Sequence, residues 1–234
     1  MEIKMISFSV FNYKGGIGKS TISLNYCGFL VSQGKKVALI DVDPQRGSTI
    51  CAEIAAEAGN PLPFQVVKKL SDVKGEVDAV VFDHAPGVNP GGPALSQIVI
   101  VPTILDAANH AVTLSTIKAL KESNKLFIVI PNRVEIGQKE QKEMLEKLFP
   151  LSPEDNELLM QKDYFKKSSS VVPYIKKRVS YSKAYGQGMT IFTDKSGLDN
   201  VVSARNEFKD VANYITLRIE QYLAQLKKSK TANA

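Results

Sequence analysis

Apolar and polar positions alternate along this chain in blocks rather than residue by residue. "KMISFSVFN" (4–12), "KVALIDVD" (36–43), "FQVVK" (64–68), "VDAVVFDHA" (77–85), "QIVIVPTI" (97–104) and "KLFIVIPNR" (125–133) are short and nearly all apolar. Strands of that kind are covered on both faces, as in a parallel sheet. Between them, "KSTISLNYCGFLVSQG" (19–34), "DAANHAVTLSTIKALKES" (106–123) and "QKEQKEMLEKLF" (138–149) carry helical spacing. From about residue 204 to 228, Phe208, Val211, Ala212, Ile215, Ile219, Tyr222, Leu223 and Leu226 recur at helical spacing as well. "SSVVPYI" (169–175) is a candidate last strand, and 150–170 is the least readable stretch. The alternation predicts an α/β fold: one doubly wound, mostly parallel sheet with helices on both faces. A single domain over 1–234 is expected, with a disordered tail from 229.

Composition narrows this picture. With 234 residues and 44% hydrophobic content, one sizeable core is expected. The formal charge of +6 favours an anionic partner without identifying one. Cys27 and Cys51 are far apart and form no metal-ligand spacing, so reduced, partly buried thiols are expected. No apolar run approaches the roughly 18 residues of a membrane span. The first apolar block reads as a strand and not as a signal peptide, and no helix-turn-helix is expected ahead of it.

The chemistry concentrates at the ends of the predicted strands. "NYKGGIGKST" (12–21) follows a strand and opens a helix, the setting a phosphate-binding loop requires. Gly15, Gly16 and Gly18 let the backbone turn and direct N–H groups inward, with Ile17 between them. The helix start adds its positive end. Lys19 would reach the β- and γ-phosphates of ATP, Ser20 would hold Mg²⁺, and Thr21 would lie near the α-phosphate. Lys14 is a second lysine that one nucleotide does not need. "ALIDVDPQRGST" (38–49) puts Asp41 and Asp43 on one face at the end of a strand, where a carboxylate can orient water or serve a metal's water shell. Asp83 ends a further apolar strand and suits Mg²⁺ through water. His84 and His110 read as ordinary hydrogen-bonded or helical histidines.

"KGGIGKST", the D-x-D-P-Q of 41–45 and Asp83-His84-Ala85-Pro86 together resemble the deviant Walker A ATPases of the ParA/MinD family, closest to small plasmid-type partition members. The resemblance implies the P-loop NTPase fold, ATP with Mg²⁺, and a homodimer that forms on ATP. It implies that Lys14 crosses the dimer interface to the partner's nucleotide, with Gly15 at the close approach. It makes Asp43 the residue needed for hydrolysis, with Asp41 in support, and Asn132 the contact to the base. "YIKKRVSYSKAYGQGMTIF" (174–192) resembles the family's segment after the last strand, which in many partition ATPases binds DNA non-specifically. The candidates there are Lys176, Lys177, Arg178 and Lys183, with Lys166 and Lys167 adding to them. The segment departs from common members by Tyr181 and Lys183, where an acidic residue and a proline are usual, and by an insertion near Gly188 and Met189.

The function implied is ATP-dependent partitioning of DNA or cargo. A centromere-binding or cargo adaptor protein would stimulate otherwise weak hydrolysis, and the protein would be cytoplasmic and nucleoid-associated when ATP-bound. The alternatives are a membrane-positioning switch like MinD, disfavoured by the polar end of the chain, and a nucleotide-gated scaffold in plasmid conjugation or stability. A metal or iron–sulfur carrier is disfavoured by the absent cysteine pair.

Overall fold

The computed structural model describes residues 5–87, 93–193, 198 and 200–232, with side chains to 229. Its frame is a six-stranded sheet of β1 (Ile6–Val10), β2 (Val37–Asp41), β3 (Gln65–Val67), β4 (Ala79–Asp83), β5 (Ile98–Thr103) and β6 (Leu126–Pro131). The strand order is β3-β2-β4-β1-β5-β6. Every pairing is parallel. The helices are α1 (Lys19–Ser32), α2 (Gly47–Glu57), α3 (Ala107–Glu122), α4 (Lys139–Leu148), α5 (Pro153–Gln161), α6 (Val179–Gly186) and α7 (Val201–Ala232).

The apolar strands divide their side chains between two layers, as the sequence pattern requires. Phe8, Val10, Leu39, Val81, Ile100 and Ile130 face α1 and α7 in the main core. Val99 and Val101 point the other way and meet Leu120 of α3 with Phe11. Helix α7 contributes Phe208, Val211, Ala212 and Ile215, all fully buried. These are the positions whose helical spacing was visible in the sequence.

Three expectations change. The strand over 169–175 does not form. That segment makes isolated bridges only, Val171 with Pro150 and, just beyond it, Lys176 with Val134. Pro173 has no N–H to donate to a ladder, which accounts for the break. Helix α2 lies where the sequence showed a motif and no helical period. Helix α5 lies in the least readable stretch, and its start carries ordinary signals: Ser152 accepts from the Asp155 amide and Pro153 opens the helix. Helix α7 runs through Ala232, and residues 233–234 of the tail expected from 229 lie outside the described residues.

The insertion near residue 188 packs against α2. Gly188 has φ 66°, and a Cβ there would lie 2.3 Å from the Ala55 amide nitrogen. Only glycine fits that backbone and that approach.

Phe208→Ala is expected to lower unfolding stability by about 3–5 kcal/mol, since a fully buried aromatic side chain leaves a cavity beneath the sheet. Urea unfolding followed by far-UV circular dichroism measures this. A change below about 1 kcal/mol would mean that α7 does not close the core.

Candidate functional site

Strand register brings the site together. Asp41 pairs with Asp83, and Asp83 with Val10, so three neighbouring strands end level. Residues 11–18 leave β1 at that edge, turn over it and enter α1. The Gly18 N-cap has φ 92° and no side-chain cap, so the first amides of α1 remain available to an anion. A Cβ on Gly18 would lie 2.4 Å from Asn132 Nδ2. Glycine is therefore required there both by the left-handed backbone and by Asn132.

The loop is wired from beneath by a residue that the sequence reading passed over. Asn12 is fully buried. Its Nδ2 donates to the Pro102 carbonyl at 2.8 Å and to Thr113 Oγ1 at 3.0 Å. Its Oδ1 accepts from the Lys14 amide and from Thr116 Oγ1, both at 3.0 Å. The Tyr13 amide also donates to Thr116 Oγ1, and the Gly87 amide donates to the Tyr13 carbonyl. The first half of the phosphate loop is thus tied to α3, to β5 and to the loop after Asp83. A polar residue continuing a buried apolar strand was the signal that could have found Asn12.

Lys19 is buried and its Nζ donates to the Lys14 carbonyl at 3.2 Å. Burial lowers its pKa, while Asp83 and Asp43 act in the opposite direction. Asp83 is fully buried beside hydroxyls: Ser23 donates to Oδ1 at 3.2 Å and Ser48 to Oδ2 at 2.7 Å, and the Ser20 hydroxyl also favours its charged form. Burial pushes the carboxyl up to about 6, against the hydroxyls that favour its charged form. Ser48 belongs to α2 and had no sequence signal. A carboxylate beside the Ser20 hydroxyl suits a hard cation held directly by Ser20 and through water by Asp83.

Asp41 is committed to the backbone around it. Oδ2 accepts from the Thr49 amide and hydroxyl, each at 2.7 Å, and Oδ1 from the Asp43 amide at 3.3 Å. It anchors the turn from β2 into α2 and so places Asp43. Asp43 is half-buried, accepts from the Gln45 amide at 2.9 Å, and lines the cleft over the loop.

That cleft has a volume of about 800 Å³. Its walls include Gly15, Gly16, Gly18, Lys19, Ser20 and Thr21 with Asp43 and Asn132; Lys14, Asp41 and Asp83 are not among them. Asn132, expected at the base, donates to the Ile17 carbonyl at 2.7 Å and braces the loop at the cleft wall. Arg133, with φ 56°, donates to the Gly16 carbonyl at 3.1 Å.

Lys176, Lys177 and Arg178 line the same cleft as the phosphate loop. Two of the three cations are paired, and Lys176 is held by its backbone amide. Arg178 is held by Glu207 of α7 at 2.9 Å, and the Lys176 amide donates to the same carboxylate at 2.7 Å. Lys177 pairs with Glu135 at 3.1 Å. Lys183 sits on α6, exposed and outside the cleft lining. His84 is buried, bonds Ser9 Oγ at 2.9 Å and packs beside Phe11 and Phe82. Burial, then Lys19, lowers its pKa to about 4, so it is neutral near pH 7, an ordinary hydrogen-bonded histidine. His110 lies in the first turn of α3, and its Nδ1 has no partner among the described residues.

A family model described as the CobQ/CobB/MinD/ParA nucleotide binding domain matches residues 8–191. The chain is 37% identical over 59 residues to the chromosome-partitioning ATPase Soj of Thermus thermophilus, covering 25% of this chain and 24% of Soj. It is 30% identical over 169 residues to the protein VirC1 of Rhizobium radiobacter, covering 61% of this chain and 72% of that one. The solved structure of a protein described as a plasmid partition protein from Borrelia burgdorferi B31, bound to AMPPNP, superposes with a TM-score of 0.62. That likeness, at 16% identity over 89% of this chain and 98% of the other, speaks for the fold.

Two measurements check the wiring. Asn12→Ala is expected to cost about 1–3 kcal/mol of stability, because it strands buried groups of the loop and of α3. Nucleotide affinity should fall with it in an equilibrium titration; an unchanged affinity would show that the loop holds its shape without Asn12. The second measurement concerns pH in the nucleotide-free protein. Asp83, raised from 3.8 to about 6, contributes stability in full below pH 3.8 and loses it as pH rises through about 6. His84, lowered from 6.5 to about 4, contributes in full above pH 6.5 and loses it as pH falls through about 4. Between about pH 4 and 6 the two slopes oppose each other. Relative to the parent, Asp83→Asn should make stability rise more with pH in that window, and His84→Asn should make it fall. Urea midpoints across the window decide; parallel profiles for all three proteins would contradict both assignments.

Proposed function

Because the chain belongs to the CobQ/CobB/MinD/ParA nucleotide-binding family, we propose that it is an ATP-driven partition switch that dimerises on ATP and holds DNA without reading its sequence. The observation that carries this is the shared cleft. The phosphate loop and the basic segment 176–178 both line one space of about 800 Å³. A nucleotide on the loop therefore sits beside the cations proposed to meet DNA.

The chain's own residues define the parts. The α1 amides, Lys19 and Thr21 bind the phosphates, and Ser20 with Asp83 holds Mg²⁺, which supplies charge neutralisation there. Asp43, fixed by the Asp41 turn, lines the cleft where it can orient an attacking water. Asn132 and Arg133 brace the loop and border the base side. The backbone of Lys14 is pinned by Asn12, while its half-buried side chain does not line its own cleft. That supports a role toward the nucleotide of a second copy. Lys176, Lys177, Arg178 and Lys183 are the proposed phosphate contacts of DNA. Hydrolysis is slow alone and accelerated by an adaptor protein, and the protein works in the cytoplasm, on the nucleoid when ATP is bound. No described helix is long and apolar enough to cross a membrane.

Binding to a random-sequence duplex with ATP, ADP or no nucleotide, across a salt series, tests the reading. Binding is expected with ATP, steeply weakened by salt, and lost in Lys14→Ala. No duplex binding in any state, with ATP binding intact, would replace this reading with a nucleotide-gated scaffold. Asp43→Ala is expected to keep ATP affinity and to slow hydrolysis roughly a hundredfold. Unchanged turnover in a phosphate-release assay would remove Asp43 from the reaction.

A further inference from the structure

Lys176 and Arg178 stand in the walls of two cavities. One is the nucleotide cleft. The other, of about 530 Å³, lies between the 163–176 segment and α7. It is lined by three more cations, Lys166, Lys167 and Lys209, and by the half-buried rings of Tyr164 and Tyr174.

The cations of the two cavities differ in commitment. Lys177 and Arg178 are already paired, with Glu135 and Glu207. Lys166, Lys167 and Lys209 are exposed, and none forms an ion pair within 4.0 Å among the described residues. Three carboxylates also line the second cavity: Asp163, Glu207 and Asp210. Glu207 is closed off by the Arg178 guanidinium and the Lys176 amide. Asp210 is pushed up to about 6 by burial and by Glu207, with Lys166 pulling the other way. Of the 176–178 cations, only the Lys176 ammonium lies outside an ion pair among the described residues, and it borders this cavity as well, so the uncommitted positive charge gathers here. Lysines beside half-exposed tyrosine rings suit a chain of phosphodiesters, which needs charge along a groove and tolerates any base.

We infer that this second cavity is the main phosphodiester contact surface, with Lys167 and Lys209 as direct phosphate contacts. Glu207 is its internal competitor: it occupies the Arg178 guanidinium that a phosphate would otherwise take. The inference rests on the DNA-binding reading above and adds where the backbone lies and what restrains it. It also gives a physical link between cavities, because the cation that Glu207 holds lines the cleft over the phosphate loop as well.

The test uses full-length protein with ATP and a random-sequence duplex. Three forms are compared across a salt series: the parent, the double variant Lys167→Ala/Lys209→Ala, and Glu207→Gln. The double variant is expected to bind ATP as the parent does, to bind duplex more weakly, and to show a salt slope smaller by about 2. Glu207→Gln is expected to bind duplex more tightly. A double variant with the parent's duplex affinity and slope would overturn this inference while leaving the DNA-binding reading in place. A parent that binds no duplex in any nucleotide state would overturn both. Inorganic phosphate is the second probe. If it protects the parent but not the double variant from thermal unfolding, while duplex affinities match, the cavity takes a small anion and the inference fails. Loss of folding in Glu207→Gln, read by circular dichroism, leaves the double variant to decide.

Discussion

The level ending of three parallel strands is the constraint on which the rest of this molecule depends. β2, β4 and β1 lie side by side, with Asp41 opposite Asp83 and Asp83 opposite Val10. Parallel strands deliver all their carboxyl ends to one edge, so the loops that follow must share it. Three stretches far apart in the chain, the phosphate loop, the 43–47 turn and the loop after Asp83, are thereby forced within hydrogen-bonding distance. Gly87 reaches the Tyr13 carbonyl, and Ser48 reaches Asp83.

Satisfying the buried polar groups at that edge gives the loop its shape. An unpaired group there costs far more than a paired one gains, so each is fully engaged. Asn12 makes four such bonds, Asp83 collects hydroxyls, and Asp41 spends both oxygens on the backbone around it. The consequence is a division of labour between neighbouring acids. Asp41 and Asp83 are withdrawn from the cleft surface and set the position of others, while Asp43 stands at the wall. Burial also moves Asp83 and His84 in opposite directions on the pH scale, though they are adjacent in sequence.

Helix α7 links the core to the charged face. Phe208 and Ala212 are buried beneath the sheet, while Glu207, next to Phe208, turns outward and captures Arg178. Packing of the helix and placement of the basic segment are therefore a single event. The same carboxylate lines the second cavity, which shares Lys176 and Arg178 with the nucleotide cleft.

The six strands, α1, α3, α4, most of α7 and the phosphate loop were legible in the sequence, because each is a local pattern: an apolar block, a helical period, a glycine-rich turn between strand and helix. Helix α2 was hidden beneath a motif, and α5 beneath a polar stretch whose capping signals were easy to overlook. The false strand at 169–175 came from β-branched residues whose Pro173 prevents a ladder. By itself, then, the sequence determined the sheet class, the nucleotide loop and which residue types carry charge. Only the tertiary structure decided that Asn12 and Ser48 serve the site, that Asp41 turns to the backbone while Asp43 faces the cleft, and that residues 176–178 form a wall of it. Those outcomes depend on strand order and on which partner a buried polar group finds, and both are set by contacts between residues 104 and 115 positions apart in the chain.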